Sequence, residues 1–262
     1  MAEREQSYPP SFLRGNHRAW TFDPAAFHQW LEERVIDGGE LRLDLLLKLA
    51  KNVVKDASPN TWDALDWVGY DEELLENDEG LLDWWYMFAL TPHLRPAPSL
   101  ADRIAYGQTV LGYVLQHAGW SDDELRLLAL GRPMHLMATT YGSAPIVAEF
   151  GQSTVFSSGG WLDLTEARQL LSRLEEAQDH FFSPSQETLE RLDTRETAKD
   201  YVSRVAESHR ISEQEVEKLF PSYVAFLSQS VPEKLTNVYR DAQEMLRTAL
   251  EREETLFLVI QH

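Results

Sequence analysis

Hydrophobic positions recur at helical spacing along most of this chain. Phe27, Trp30, Leu31 and Val35 fall on one face of a 3.6-residue period. Asp23-Pro24 ahead of them supplies a cap and a helix-compatible first residue, and Gly38-Gly39 closes the segment. The run LRLDLLLKLAKNVV predicts a second helix over 40–55, and Pro59 opens a third that carries Trp62, Leu65 and Trp67. Gly80 precedes LLDWWYMFAL, a helical stretch stopped before Pro92. The segment RPAPS at 95–99 reads as a turn or short linker. Ser99 or Asp102 caps a longer helix over 100–118, ended by Gly119, and Ser121 with Glu124 forms a capping box for 122–130.

From 133 to 162 the helical period vanishes. The β-prone pieces HLMATTY, PIVAEF and STVF take its place, and Glu149 is the sole charge in that window. Helical spacing resumes at Thr165 and runs to 180, with Leu170, Leu171, Leu174 and Ala177 inward. Thr194 begins another helix, Ser212 and Glu215 make a second capping box, and Pro221 breaks or kinks the stretch after it. Val231-Pro232 leads into an amphipathic helix over 233–252 whose inward set is Leu235, Val238, Tyr239, Ala242, Leu246 and Leu250. The outward charges Arg240, Arg247 and Arg252 alternate with acids at the spacing of intrahelical pairs. The chain closes on TLFLVIQ (255–261), an apolar, β-branched strand. Residues 1–20 fit neither period and read as an irregular arm.

The fold expected from this pattern is α+β and mostly α-helical. Its small sheet would form from 134–156 and the C-terminal strand 255–261. The chain divides into a helical region, 1–130, and an α+β region, 131–262, or runs as one continuous domain. A boundary near 95–100 is the other division the pattern allows.

Composition narrows the class. Of 262 residues, 43% are hydrophobic, and 8 Trp, 9 Tyr and 11 Phe argue for a packed core rather than disorder. Cysteine is absent, which excludes disulfides, thiol nucleophiles and Cys-ligated zinc and fits a reducing compartment. MAEREQSYPPSFLRGNHR lacks the apolar stretch of a secretory signal. No apolar run has membrane-spanning length. A soluble, cytoplasmic protein of bacterial type is expected, with no cofactor. The net charge of −19 argues against nucleic acid and anionic lipid as partners and permits a basic protein or divalent cations.

That charge is unevenly spread. Segment 56–94 holds Asp56, Asp63, Asp66, Asp71, Glu72, Glu73, Glu76, Asp78, Glu79 and Asp83, with no Lys or Arg. It also holds Trp62, Trp67, Tyr70, Trp84, Trp85, Tyr86 and Phe88. Two readings compete: a partner-binding acidic–aromatic surface, or a solvated acidic rim around helices whose Trp residues are core. The candidate binding residues are Trp67, Tyr70, Asp71, Glu72, Glu73 and Glu76. The stretch DEELLENDEG is not a calcium loop, because Leu74-Leu75 occupy ligand positions.

Catalytic signatures are weak. No G-x-S-x-G elbow, Walker A loop or G-x-G-x-x-G occurs. His28 and Glu32 share a helix face but lack a third metal ligand, and read as a surface pair. Asp179-His180 reads as a helix terminus favoured by the dipole. Ser157-Ser158-Gly159-Gly160 sits five residues from the next helix, and Asp163 would repel an anion there. His135, beside Arg132 in the low-charge window, is the candidate general base if the protein is a hydrolase.

The C-terminal half carries one family resemblance. A Gly/Ser-rich turn leads into WLDLTEARQLLSRLEEA (161–177), then KLTNVYRDAQEMLRTALEREETLFLVIQ (234–261) runs from a helix with Tyr239-Arg240 into the final strand. In element order this resembles the uncharacterised bacterial YfbM-like family. The resemblance covers 161–261, implies a small α+β domain of unknown activity, and supplies no catalytic residues. The connecting helix is longer here, and residues 1–130 have no counterpart in it. The leading functional expectation is a non-catalytic, immunity-like or inhibitory binding protein using the acidic–aromatic surface. The alternatives are a hydrolase with a cleft around His135 and a structural subunit of a homo-oligomer.

Overall fold

The computed structural model describes residues 16–37, 40–75, 82–100, 104–133, 159–193, 198–219, 224–225 and 227–261. Among them the chain is α+β and mostly helical. Strands β1 (Asn16–Phe22), β4 (Arg95–Ala97), β5 (Arg132–Pro133), β6 (Gly159–Leu162) and β7 (Thr255–Gln261) form one antiparallel sheet in the order β4-β1-β7-β6-β5. β2 (Ile36–Asp37) and β3 (Glu40–Leu41) make a separate short hairpin.

β7 is the central strand. It pairs with β1 from Asn16 opposite Gln261 to Phe22 opposite Thr255, and with β6 on its other edge. Leu256, Leu258 and Ile260 enter one core, while Phe257 and Val259 enter another. Alternate strand residues face opposite sides, so a strand buried on both sides has no polar face. That is why TLFLVIQ is a continuous apolar run.

Helices cover both faces of the sheet. On the Phe257 side lie α1 (Pro24–Val35), α2 (Leu43–Lys55), α3 (Pro59–Val68), a 3-10 turn (Glu72–Leu75) and α4 (Leu82–Leu90). On the Leu258 side lie α5 (Ile104–His117), α6 (Asp122–Leu130), α7 (Leu164–Glu176), α8 (Gln178–Phe182), α9 (Gln186–Asp193) and α12 (Val231–Arg252). α10 (Ala198–His209) and α11 (Glu213–Leu219) pack on each other around Val216. The sheet therefore takes strands from either side of residue 130.

Local signals place most helices. Asp23 Oδ1 accepts from Ala25 N at 2.9 Å and Ala26 N at 3.1 Å, capping α1 as expected. Both predicted capping boxes form, Ser121 with Glu124 and Ser212 with Glu215. A third, Ser230 with Glu233, starts α12 at Val231. Asp163 caps α7 one residue ahead of Leu164.

Several expectations change. Residues 16–20 are strand, not an irregular arm, and 95–97 form a strand at the sheet edge rather than a linker. Residues 134–156, expected to supply the sheet, lie outside the described residues; the described sheet is built from other segments. Two of the α12 arginines pair between elements instead of along the helix: Arg247 meets Glu175 at 3.1 Å, and Arg252 donates to Thr21 Oγ1 and Pro96 O. Beyond its end, buried Glu254 pairs with Arg95. His28 is half-buried rather than a surface residue, and its Nε2 lies 3.3 Å from the Tyr86 hydroxyl.

Strand β1 also buries a titratable group. His17 has 0% exposure, and its Nδ1 accepts from Leu100 N at 3.2 Å. Nε2 makes no hydrogen bond, although the Ala129 carbonyl is close enough to favour a proton there. Burial dominates and pushes the imidazole down to about 3.

Candidate functional site

The acidic–aromatic segment folds as α3, the 3-10 turn and α4 on the Phe257 side of the sheet. Ser58 caps α3, its Oγ accepting from Thr61 N at 3.3 Å. Gly69 ends the helix in the left-handed region, with φ of 81°. A Cβ there would make only an ordinary contact with the Trp84 ring, at 3.5 Å, so the positive φ and not crowding calls for glycine. Tyr70 N then donates back to Leu65 O at 2.9 Å, which sets the Tyr70 ring beside the helix. Asp71 Oδ1 accepts from Glu73 N at 3.1 Å and fixes the start of the 3-10 turn.

This backbone separates the aromatic residues into layers. Trp85 is 3% exposed, donates its indole N–H to Leu74 O at 2.9 Å, and is core, as is Phe88. Trp67, Tyr70, Trp84 and Tyr86 are half-buried. Trp62 remains 41% exposed. It meets Tyr70 edge-on, with centroids 5.6 Å apart and planes at 76°, and Tyr70 in turn meets Phe88 at 5.4 Å. The stack runs from solvent to core, so Trp62 is held from beneath while its outer surface is open.

Carboxylates flank that stack in sequence. Asp66, Asp71, Glu72 and Glu73 are exposed, and Asp63 is half-exposed. Burial, followed by the charges of Glu72 and Asp71, raises the Tyr70 phenol above its ordinary value. Among the described residues, no Lys or Arg forms an ion pair with Asp71, Glu72 or Glu73. Glu76 and His135 lie outside the described residues.

The binding set read from sequence is thus partly assembled. Tyr70, Asp71, Glu72 and Glu73 lie together, whereas Trp67 has a second role. Its ring packs at 68° against Trp20, and the Arg18 guanidinium sits 5.4 Å above it. Arg18 also reaches Asp63 at 3.9 Å. The segment contains no basic residue, yet β1 brings one to it in space. Trp62, one of the aromatics of the segment but not of the candidate binding set, is set apart from its neighbours by its exposure.

A second aromatic group lies on α1 and the turn after α4. His93 meets Trp30 at 4.5 Å and Phe27 at 5.2 Å, and Arg34 lies 4.8 Å over the Trp30 ring. Burial lowers both His28 and His93, opposed at His28 by Glu32 and reinforced at His93 by Arg34. These imidazoles are neutral packing partners near neutral pH. Among the described residues, no group of three His, Asp or Glu is placed to hold a metal ion. No helix there is long and apolar enough to cross a membrane. A shallow groove of about 370 Å³ at the start of α12, lined by Gln229, Glu233, Thr236, Asn237 and Arg240, contains none of the candidate binding residues.

Fold and surface together define an α+β, mostly helical protein that displays an acidic, aromatic-centred patch. No protein family, curated protein or solved structure matches the chain.

Proposed function

We propose that this protein is a non-catalytic protein-binding module, immunity-like or inhibitory in character, that works in the cytoplasm and holds a basic partner protein. The patch formed by Trp62, Tyr70, Asp71, Glu72 and Glu73 is its binding surface. One observation carries the reading: an indole 41% exposed, braced by Tyr70, on a segment where Asp71, Glu72 and Glu73 make no ion pair among the described residues. Braced aromatic side chains bury large rigid areas at little entropic cost and serve as interface anchors. Surrounding charge of one sign steers a cationic partner and speeds encounter.

Neutralising the patch tests this. The triple variant Asp71→Asn, Glu72→Gln, Glu73→Gln is expected to lose the partner that the natural chain captures from lysate. That partner should be basic, and its capture should weaken as salt rises. Capture of the same partner in equal amount by the triple variant would overturn the proposal.

A further inference from the structure

We infer that the Trp62–Tyr70 pair is a seat for an arginine side chain of the partner, an inference that rests on the protein-binding reading above. The molecule already contains one filled seat of this kind. Residues 62–67 read WDALDW, a near-palindrome in which each Trp lies four residues from an Asp. On a helix that offset stacks the two side chains on one face. At the Asp63–Trp67 end, Arg18 from β1 places its guanidinium 5.4 Å from the indole centroid and 3.9 Å from the carboxylate. The other end repeats the composition in reverse, Trp62 followed by Asp66, and adds Tyr70 at 76° to the indole.

The two ends differ in what approaches them. Trp67 faces the sheet, where β1 supplies Arg18. Trp62 faces solvent, and the nearest sequence neighbours across the 3-10 turn, Asp71 and Glu72, are acids close enough to raise the Tyr70 phenol. The second end thus presents an indole face braced by Tyr70, with Asp71 and Glu72 near that tyrosine and without a cation of the chain over the Trp62 ring among the described residues. Charge complementarity selects a cation, and shape selects arginine. A guanidinium is planar, weakly hydrated and forked, so it stacks on indole while donating to carboxylates. A lysine ammonium is compact and strongly hydrated and does neither as well.

The test uses the full chain with ¹⁵N-labelled tryptophan and acetylated, amidated Gly-Arg-Gly-Arg-Gly as probe, beside its lysine and citrulline counterparts. The Trp62 indole signal, assigned from the Trp62→Phe spectrum, should move with the arginine peptide. The lysine peptide should bind about two- to fivefold more weakly, and citrulline should not bind. Trp62→Ala should lower arginine-peptide affinity to the lysine level, and Trp62→Phe should restore most of it. Equal affinity for arginine and lysine peptides, or a Trp62 signal that does not move, overturns the arginine seat. If the triple charge variant still loses its partner in that case, the binding-module reading survives without the seat. If partner capture is also unchanged in the triple variant, both fall.

Discussion

Replacing His17 by glutamine is expected to flatten the acid limb of the stability curve. His17, on β1, lies wholly within the core near Leu100 and the end of α6, and its Nδ1 serves as acceptor to Leu100 N. A proton on Nδ1 would break that bond and leave a charge in apolar surroundings. The native imidazole therefore titrates at about 3, against 6.5 in the unfolded chain. Between those values the unfolded chain binds a proton that the native state does not, so stability rises with pH and falls on acidification. Each pH unit within the window costs about 1.4 kcal/mol, hence about 2 kcal/mol between pH 6.5 and pH 5 and about 4–5 kcal/mol over the whole interval. That total is comparable to the lower end of domain stabilities, roughly 5–15 kcal/mol. His28 and His93 are lowered as well and act with the same sign. Both remain in His17→Gln, so the difference between the two proteins isolates His17. Glutamine keeps an oxygen acceptor for Leu100 N and carries no titration. Urea unfolding at pH 7, 6 and 5 supplies the curves, with coincident fluorescence and circular dichroism transitions checking two-state behaviour. The natural chain should lose about 2 kcal/mol more than the variant on going to pH 5. Parallel curves, or a native His17 imidazole that titrates above pH 6 by NMR, would refute the reasoning.

Two backbone positions yield further expectations. Gly160 sits where β6 pairs with β5, and an added Cβ would collide with the Arg132 carbonyl oxygen and lie 2.7 Å from Leu130 O. Gly160→Ala should cost about 2–3 kcal/mol in chemical denaturation, because the obstacle is backbone and cannot rotate away. Glu253 joins α12 to β7 in the left-handed region with φ of 53°. Glu253→Gly should stabilise by about 0.5–1 kcal/mol, read as a raised melting temperature; a lower one would mean that the glutamate side chain contributes more than its strain.

The helices were legible because their determinants are local. Asp23 reaches two N–H groups within three residues, and the Ser–Glu boxes at 121–124 and 212–215 close within one turn. Such contacts form whatever the rest of the chain does, so spacing and cap chemistry suffice to read them. The final strand was legible for a different reason: burial on both faces leaves an uninterrupted apolar run. β1 was not. Its sequence, NHRAWTF, mixes charge with aromatics, and its strand character comes from a partner at the far end of the chain. β4 contains Pro96, a residue that local reasoning assigns to a turn and that an edge strand tolerates.

The candidate surface divides in the same way. By itself the sequence determined that acids and aromatics are concentrated in 56–94 and that several of them fall on short helices. Tertiary structure alone decided that Trp85 is core, that Trp67 shares its face with Arg18, and that Trp62 stands in solvent. Helical periodicity assigns residues to faces, but the sheet and α2 decide which face is covered. A charge count along the chain is blind to Arg18, because electrostatic contacts depend on distance in space and not on separation in sequence.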